Sequence, residues 1–355
     1  MTENPWTPSA RAREPAVLGR PIVESGCWYP EDMAGATPWL YRLDRREADD
    51  IMAAVSRIED EGRDIKDIRP ADFPLPVLAP ALADIRAELM DGRGFAIIRG
   101  LPTEELTIYQ QAAAFWGVST HIGRPFSQNA QGHLLGHVTN INPVIDDGTG
   151  RGYRSNDGLN FHADGCDVTA LFCVQPAKSG GLHRICSSVA LYNEMLRRRP
   201  ELAEALAFYF YRSRRGELPE GQTEMWFRQP VFSVCDGYFA ARGASNTILR
   251  AQGVPGVPDL TDVQREAIAY FQELAPELAI DIAFEPGDFE YAQSHVTLHA
   301  RTAFEDWPEP ERRRHLFRLW MSADGARPLV PEIAEEIERG ITVEGVEPSA
   351  PLVPV

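Results

Sequence analysis

The chain has no excess of positive charge, no long apolar run and few cysteines, and each lack closes a class of function. Its formal net charge is −17. Binding to a phosphate backbone works by counterion release at a basic surface, so no nucleic-acid partner is expected. The same acidity disfavours an anionic membrane surface. No apolar stretch approaches the roughly 20 residues that span a bilayer, and the N-terminal MTENPWTPSARAREP lacks the apolar core of a signal peptide. The five cysteines (Cys27, Cys166, Cys173, Cys186 and Cys235) are odd in number and far apart, with no CxxC pair. That argues against a cysteine zinc site and for a reduced, cytoplasmic setting. No internal repeat or linker splits the sequence.

What is present is an ordinary globular composition, 44% apolar and 25% charged over 355 residues, enough to bury a sizeable core. Residues 1–75 read as an arm and a helix packed on a core, residues 76–335 as the main domain, and residues 336–355 as a loosely held tail. Helical spacing marks 44–62, 79–94, 106–123 (up to Gly117), 187–209 and 261–276. GFAIIRGLP (94–102) switches to a short buried strand. From about residue 130, short apolar segments alternate with Gly, Pro, Asn and Asp turns. The predicted fold is mainly β with flanking helices, a sandwich or barrel.

Two stretches carry chemistry. In NFHADGCDVTALF (160–172), His162 and Asp164 are two residues apart, so on a strand both side chains leave one face. An imidazole and a carboxylate so placed can ligate a divalent ion. A distant histidine would complete a 2-His-1-carboxylate triad, the ligand set of non-haem Fe(II) oxygenases. An HxD pair alone also fits a turn histidine beside a solvated aspartate. The distant ligand should lie in EPGDFEYAQSHVTLHARTAFED (285–306), where His295 and His299 share a face if the segment is straight. In RRRHLFRLWM (312–321), Arg314, Leu316 and Arg318 point one way and His315, Phe317 and Leu319 the other. Arginines in an apolar run call for anions, which suggests a dicarboxylate co-substrate. A solvated edge is the alternative for Arg312 and Arg313. His133 and His137, flanked by glycines, read as structural.

The order HxD, a long insertion, His, then RxxxR, together with GRGFAIIRGLP and PAKSGGLHRICSS, resembles the taurine dioxygenase-like (TauD/TfdA) family of Fe(II)/2-oxoglutarate-dependent oxygenases over residues 80–330. The resemblance implies a double-stranded β-helix (jelly-roll) core. It implies Fe(II) held by His162, Asp164 and His299, with His299 preferred over His295. It implies 2-oxoglutarate as co-substrate, its distal carboxylate held by Arg314, and O2 as oxidant. Arg318 matches the position used for an anionic substrate group. Where a Ser or Thr hydroxyl usually helps anchor 2-oxoglutarate, this chain has His183, as a replacement donor or a packed residue. Asp164 is a carboxylate where iron halogenases have Ala or Gly, which disfavours chlorination.

The implied reaction is oxidation, most simply hydroxylation, of a C–H bond in a small, acid-bearing molecule, with release of succinate and CO2. Candidate wall positions are Tyr153, Asn156, Asn160, Gly165, Trp226, Arg228, Arg242 and Arg318. Two other readings stay open: a cupin-like metal enzyme that does not use 2-oxoglutarate, and a non-catalytic β-sandwich binding module. Self-association as a homo-oligomer is also open.

Overall fold

Alternating side chains sort the strands into faces, and the faces set the architecture. The computed structural model describes residues 4–140, 156–218, 221–343 and 345–354. The chain begins with α1 (Pro30–Met33), β1 (Leu40–Arg42), α2 (Arg45–Asp60), α3 (Ala79–Asp91), β2 (Phe95–Arg99) and α4 (Ile108–Thr120). Strands follow: β3 (Arg124–Phe126), β4 (Gly136–Thr139), β5 (Leu159–His162), β6 (Val168–Gln175), β7 (Ser179–Gly180) and β8 (His183–Ser187). An insertion holds α5 (Ser188–Arg198), α6 (Pro200–Ala205), β9 (Tyr209–Ser213), β10 (Trp226–Pro230), β11 (Phe232–Cys235), β12 (Tyr238–Ala241), α7 (Asn246–Ala251) and α8 (Asp262–Leu274). Then come β13 (Ala279–Ile282), β14 (Phe289–Gln293), β15 (Thr297–Arg301), β16 (Phe304–Glu305), β17 (His315–Ser322) and α9 (Pro331–Arg339).

Among the described residues the larger sheet runs β1-β2-β14-β6-β17-β3, with β4 also paired to β17. The smaller runs β13-β8-β15-β5. Every β17–β6, β14–β6 and β15–β8 pairing is antiparallel. The two sheets face each other through Phe95, Ile97 and Ala292 of the larger and Ile185 and Ile282 of the smaller. The outer face of the larger sheet carries Ile98, Phe172, Phe289, Phe317 and Leu319 against Ile51, Val55, Leu82 and Phe115 of α2, α3 and α4. The outer face of the smaller sheet packs Phe161, Leu298 and Ala300 on the insertion helices. Burying one such side chain contributes about 1.5–3 kcal/mol. The architecture is a β core with flanking helices.

Local chemistry explains the element ends. Asp44 caps α2 by accepting from the Glu47 amide, and Glu47 returns the contact. α4 does not stop at Gly117 but runs on to Thr120. A Cβ at Gly117 would lie 2.4 Å from the Phe73 ring, so that glycine is there for close packing. The helical stretch 187–209 is two helices, broken at Arg199 before Pro200, and Tyr209 already starts a strand. FEYAQSHVTLHAR is not one straight segment. A turn at 294–296 divides it, so β14 joins the larger sheet and β15 the smaller.

The two ends of the chain are packed. Trp6 packs on the helix-side core, Ala16 and Ile22 on the insertion, and Trp28 between the sheets. Arg327 reaches back to Glu24 in a buried ion pair at 3.2 Å. The tail is held rather than loose: Leu134 N donates to Ser349 O, His137 meets Pro351 O, and Leu352 packs on the helix-side core.

Candidate active site

β5 and β15 are neighbours, with His162 opposite His299 and their ring centroids 4.4 Å apart. Phe161, Leu298 and Ala300 take the outer face, so period-two alternation turns both histidines inward. Gly243, at φ +60, lets the insertion backbone press on this strand. A Cβ there would sit 3.2 Å from Ala163 N and 3.3 Å from His162 Cα.

β5 ends at His162, which corrects the expectation that His162 and Asp164 share a strand face. Asp164 lies in the link where the chain crosses from the smaller sheet to β6 of the larger. Its carboxylate nevertheless returns to the imidazoles, Oδ2 lying 3.9 Å from His299 Nε2. One ligand atom from each of His162, Asp164 and His299 lies within 4.8 Å of the others.

The protonation states suit a cation. His162 Nδ1 is 2.8 Å from Asn160 O, and a carbonyl only accepts, so Nδ1 carries the proton and Nε2 keeps its lone pair. Burial lowers the pKa of both rings, and His299 is lowered further by the charge that His162 would carry. Burial pushes the Asp164 carboxyl up, but Arg318, His299 and His162 outweigh it and hold the group well below the usual carboxylate range. Arg318 Nη1 stands 3.6 Å from Asp164 Oδ1, and Thr169 Oγ1 donates to Oδ2 at 3.2 Å. Two neutral imidazoles and one carboxylate are a donor set for a divalent first-row ion.

β17 supplies the opposite wall. Arg314, just before it, and Leu316, Arg318 and Trp320 on it line one cavity of about 350 Å³ with the three candidate ligands. Phe317, Leu319 and Met321 go to the helix-side core. The Arg314 guanidinium is buried, and its Nη1 has no hydrogen-bond partner among the described residues. Burial lowers its pKa to about 10, against the pull of Cys173 and Asp306. A Cβ at Gly181 would come within 3.1 Å of Arg314 Nε, so that glycine leaves room for the guanidinium.

His183 also lines the cavity, its ring stacked 5.8 Å from that of His299. Its Nε2 lies 2.6 Å from the buried Glu290 carboxylate, so Nδ1 is the ring atom left to face a ligand. Asn160 sits at the cavity rim. Gly165 forms part of the wall, and a Cβ there would be 3.3 Å from the Trp320 ring. Arg242 is buried in the wall and donates from Nη1 to Asp164 O at 2.9 Å.

Other expected wall positions lie elsewhere. Asn156 is exposed and outside the cavity. Its carbonyl accepts from Phe304 N and its Nδ2 donates to Phe304 O, so it is tied to β16. Trp226 packs on Tyr211, and exposed Arg228 stacks over Tyr209 and Tyr211. Tyr153 lies outside the described residues. His295 is buried with Nε2 3.0 Å from Asp167, and His137 pairs with His315 at 2.7 Å. The sequence reading missed Arg212, Arg301, Glu290 and Trp320. Trp320 and Arg301 were findable, being two residues beyond Arg318 and His299 on their strands. Arg212 shares the buried face of β9 with Phe210 in YFYRSRR, but the basic run disguises it as solvated.

A family model described as "Taurine catabolism dioxygenase TauD, TfdA family" matches residues 61–320. The chain belongs to the TauD/TfdA family. FR-33289 synthase of Streptomyces rubellomurinus is 30% identical over 320 residues, 88% of this chain and 93% of that protein. Taurine hydroxylase-like protein SAT17 of Stachybotrys chartarum is 27% identical over 340 residues, 91% of this chain and 85% of that one. A solved asparagine oxygenase, in complex with Fe(II), 3-hydroxyasparagine and succinate, shares the fold at TM-score 0.60 and 16% identity, over 86% of this chain and 99% of that one. The iron oxygenase OrfP, in complex with Fe and alpha-ketoglutaric acid, aligns at TM-score 0.61 and 16% identity, over 80% and 94%. This TauD/TfdA chain is an Fe(II)/2-oxoglutarate-dependent dioxygenase with a hydroxylase's equipment, using O2 as oxidant. No helix among the described residues is long and apolar enough to cross a membrane.

Proposed function

We propose that the chain hydroxylates a C–H bond of a small acid, with His162, Asp164 and His299 as the iron ligands and Arg314 as the clamp on the distal carboxylate of 2-oxoglutarate. One observation carries this reading. A buried guanidinium with an unpartnered Nη1 shares a cavity with two neutral imidazoles and a carboxylate. A cupin-like enzyme without a dicarboxylate co-substrate gives Arg314 nothing to hold, and burying that charge would then be a net cost.

When bound, Fe(II) with 2-oxoglutarate and O2 supplies the oxidising power to place one oxygen atom on the substrate, with succinate and CO2 as co-products. The protein's own groups do the rest. Asn160 O fixes the His162 tautomer. Thr169 and Arg318 orient the Asp164 carboxylate. Trp320, Leu316, Leu171 and Val138 give the cavity dry walls. The double-stranded β-helix description fits the two facing sheets, antiparallel but for the β1–β2 edge pair, with the site between them. Unpaired cysteines, three of them buried, support a reducing compartment.

The acid-bearing substrate rests on the arginines of the wall, Arg242 and Arg318 among them, with Asn160 and Gly165 at its rim. His183 is kept as a 2-oxoglutarate contact through Nδ1 only. Two further relatives, each 27% identical over about half of this chain, are named uridine-5'-phosphate dioxygenase, a name that includes a phosphate. The test is anaerobic addition of Fe(II) and 2-oxoglutarate, read as a weak visible charge-transfer band. The band should form in the wild type, vanish in His299→Ala and need far more 2-oxoglutarate in Arg314→Gln. A wild-type protein that binds iron but never shows the band would overturn the 2-oxoglutarate assignment.

A further inference from the structure

We propose that Arg212 and Arg242 form a second anion subsite in the cavity, and that the substrate offers it a tetrahedral dianion, a phosphoryl or phosphonyl group. This rests on the oxygenase reading above and extends it to the substrate's chemical class.

Arg212 comes from β9 and Arg242 follows β12, so both belong to the insertion, yet both line the cavity that holds the candidate iron ligands. They are 3% and 8% exposed. Among the described residues Arg212 meets only neutral oxygens: Nη2 donates to Gly243 O at 3.0 Å, and Nη1 lies 3.4 Å from both Ser245 Oγ and Thr247 Oγ1. Arg242 Nη1 donates to the Asp164 carbonyl. The Nε of each is buried with no acceptor among the described residues. Neither makes an ion pair among the described residues.

Three other buried arginines of this fold are paired. Arg93 meets Glu88 at 2.7 Å, Arg327 meets Glu24, and Arg214, in the same cavity, is clamped by both oxygens of Glu336 at 3.0 and 3.1 Å. Arg314 has the co-substrate carboxylate as its assigned partner. Arg318 is directed at Asp164 and at Gln128, to which its Nε donates at 2.8 Å. Arg301, also in the wall, donates to the Asp157 carbonyl, and Asp164 and Asp167 act on Arg242 from beyond ion-pair distance; Arg212 and Arg242 are therefore the insertion's pair for a counter-charge from outside.

The number of charges follows from the pair. Burial, and then the charge of Arg242, lower the pKa of Arg212 to about 9. Two like charges in one low-dielectric pocket repel, and a monoanion neutralises only one of them. A dianion neutralises both, and its three oxygens match the fork geometry of two guanidiniums with the Ser245 and Thr247 hydroxyls beside them.

The test uses the chain loaded anaerobically with Fe(II) and 2-oxoglutarate, so that Arg314 is occupied. Propylphosphonate, propyl phosphate, propanesulfonate and butyrate are then titrated calorimetrically at pH 8. One or both phosphorus dianions should bind about tenfold or more tightly than the two monoanions. Which of them binds better tells a phosphonate substrate from a phosphate ester. Arg212→Gln should lose that preference while the visible band stays. Equal binding of all four probes, no binding of any, or an unchanged preference in Arg212→Gln with the band intact, would overturn the subsite and leave the oxygenase reading standing. Absence of the band in the wild type would sink both.

Discussion

The two faces of the larger sheet are built from the same strands and solve opposite problems. On β17, Phe317, Leu319 and Met321 enter a dry helix-side core beside Phe115 and Phe172. One residue along each time, Leu316, Arg318 and Trp320 line the cavity, with Arg314 just before the strand. The helix-side face gathers hydrocarbon and is stable by packing. The cavity face gathers buried charge whose partners are partly missing from the chain. A strand can therefore be half scaffold and half site, with a two-residue period separating the roles.

The largest break in that comparison is to swap the damage. Phe317→Ala should cost about 3–5 kcal/mol in chemical denaturation. Its 2-oxoglutarate affinity should be near normal wherever it is folded. His299→Ala should do the reverse: wild-type stability without metal, and loss of iron binding and turnover beyond the roughly 100-fold that removing a supporting contact costs. A variant that failed on both counts would show that the faces are not independent.

Arg314→Gln sharpens the contrast. Charge-assisted hydrogen bonds are worth about 1.5–3 kcal/mol, so KM for 2-oxoglutarate should rise roughly 10- to 100-fold. Thermal stability of the metal-free protein should hold or increase, because a buried charge without an anion has been removed. A drop in stability would show that the guanidinium is satisfied within the fold. Thr169→Val comes next. It removes the donor to Asp164 Oδ2 and should weaken iron binding by roughly tenfold without altering the denaturation midpoint.

The break that needs only a change of pH belongs to the end of the helix-side row. Burial, then the charge of His137, lowers the His315 pKa from 6.5 to about 3. A folded-state pKa below the unfolded one means stability is full above pH 6.5 and is lost as pH falls toward 3. His315→Gln should flatten that part of the stability profile between pH 6.5 and 4, measured by urea midpoints. An unchanged slope would assign the acid sensitivity to other groups.

Much of this was legible in the sequence because period two and period 3.6 are physical. The alternation in RRRHLFRLWM placed Arg314 and Arg318 on one side, and Ile51, Val55 and Ile58 gave α2 its buried stripe. What failed depended on where the chain leaves a sheet. The crossing after His162 and the turn at 294–296 carry no periodicity, so Asp164 and His295 were read as strand residues. Gly117 looked like a stop because its reason, the Phe73 ring, is distant in sequence. Arg212 was invisible for a like cause: nothing in a run such as YRSRR tells a buried arginine from a solvated one until the cavity closes around it.

The position of β17 has a further consequence, for the order in which the molecule can be assembled. It follows every other described strand in the chain, yet lies between β6 on one side and β3 and β4 on the other. Until it arrives, β6 keeps a long apolar edge open and neither Arg314 nor Arg318 faces the histidines. Its pairing with β4 and β6 spans well over a hundred residues of sequence, so loop-closure entropy must be met before those contacts form. Emergence from the ribosome cannot build the cavity piecemeal. The site should appear late and all at once, and the nascent chain up to β16 is the aggregation-exposed form of this protein.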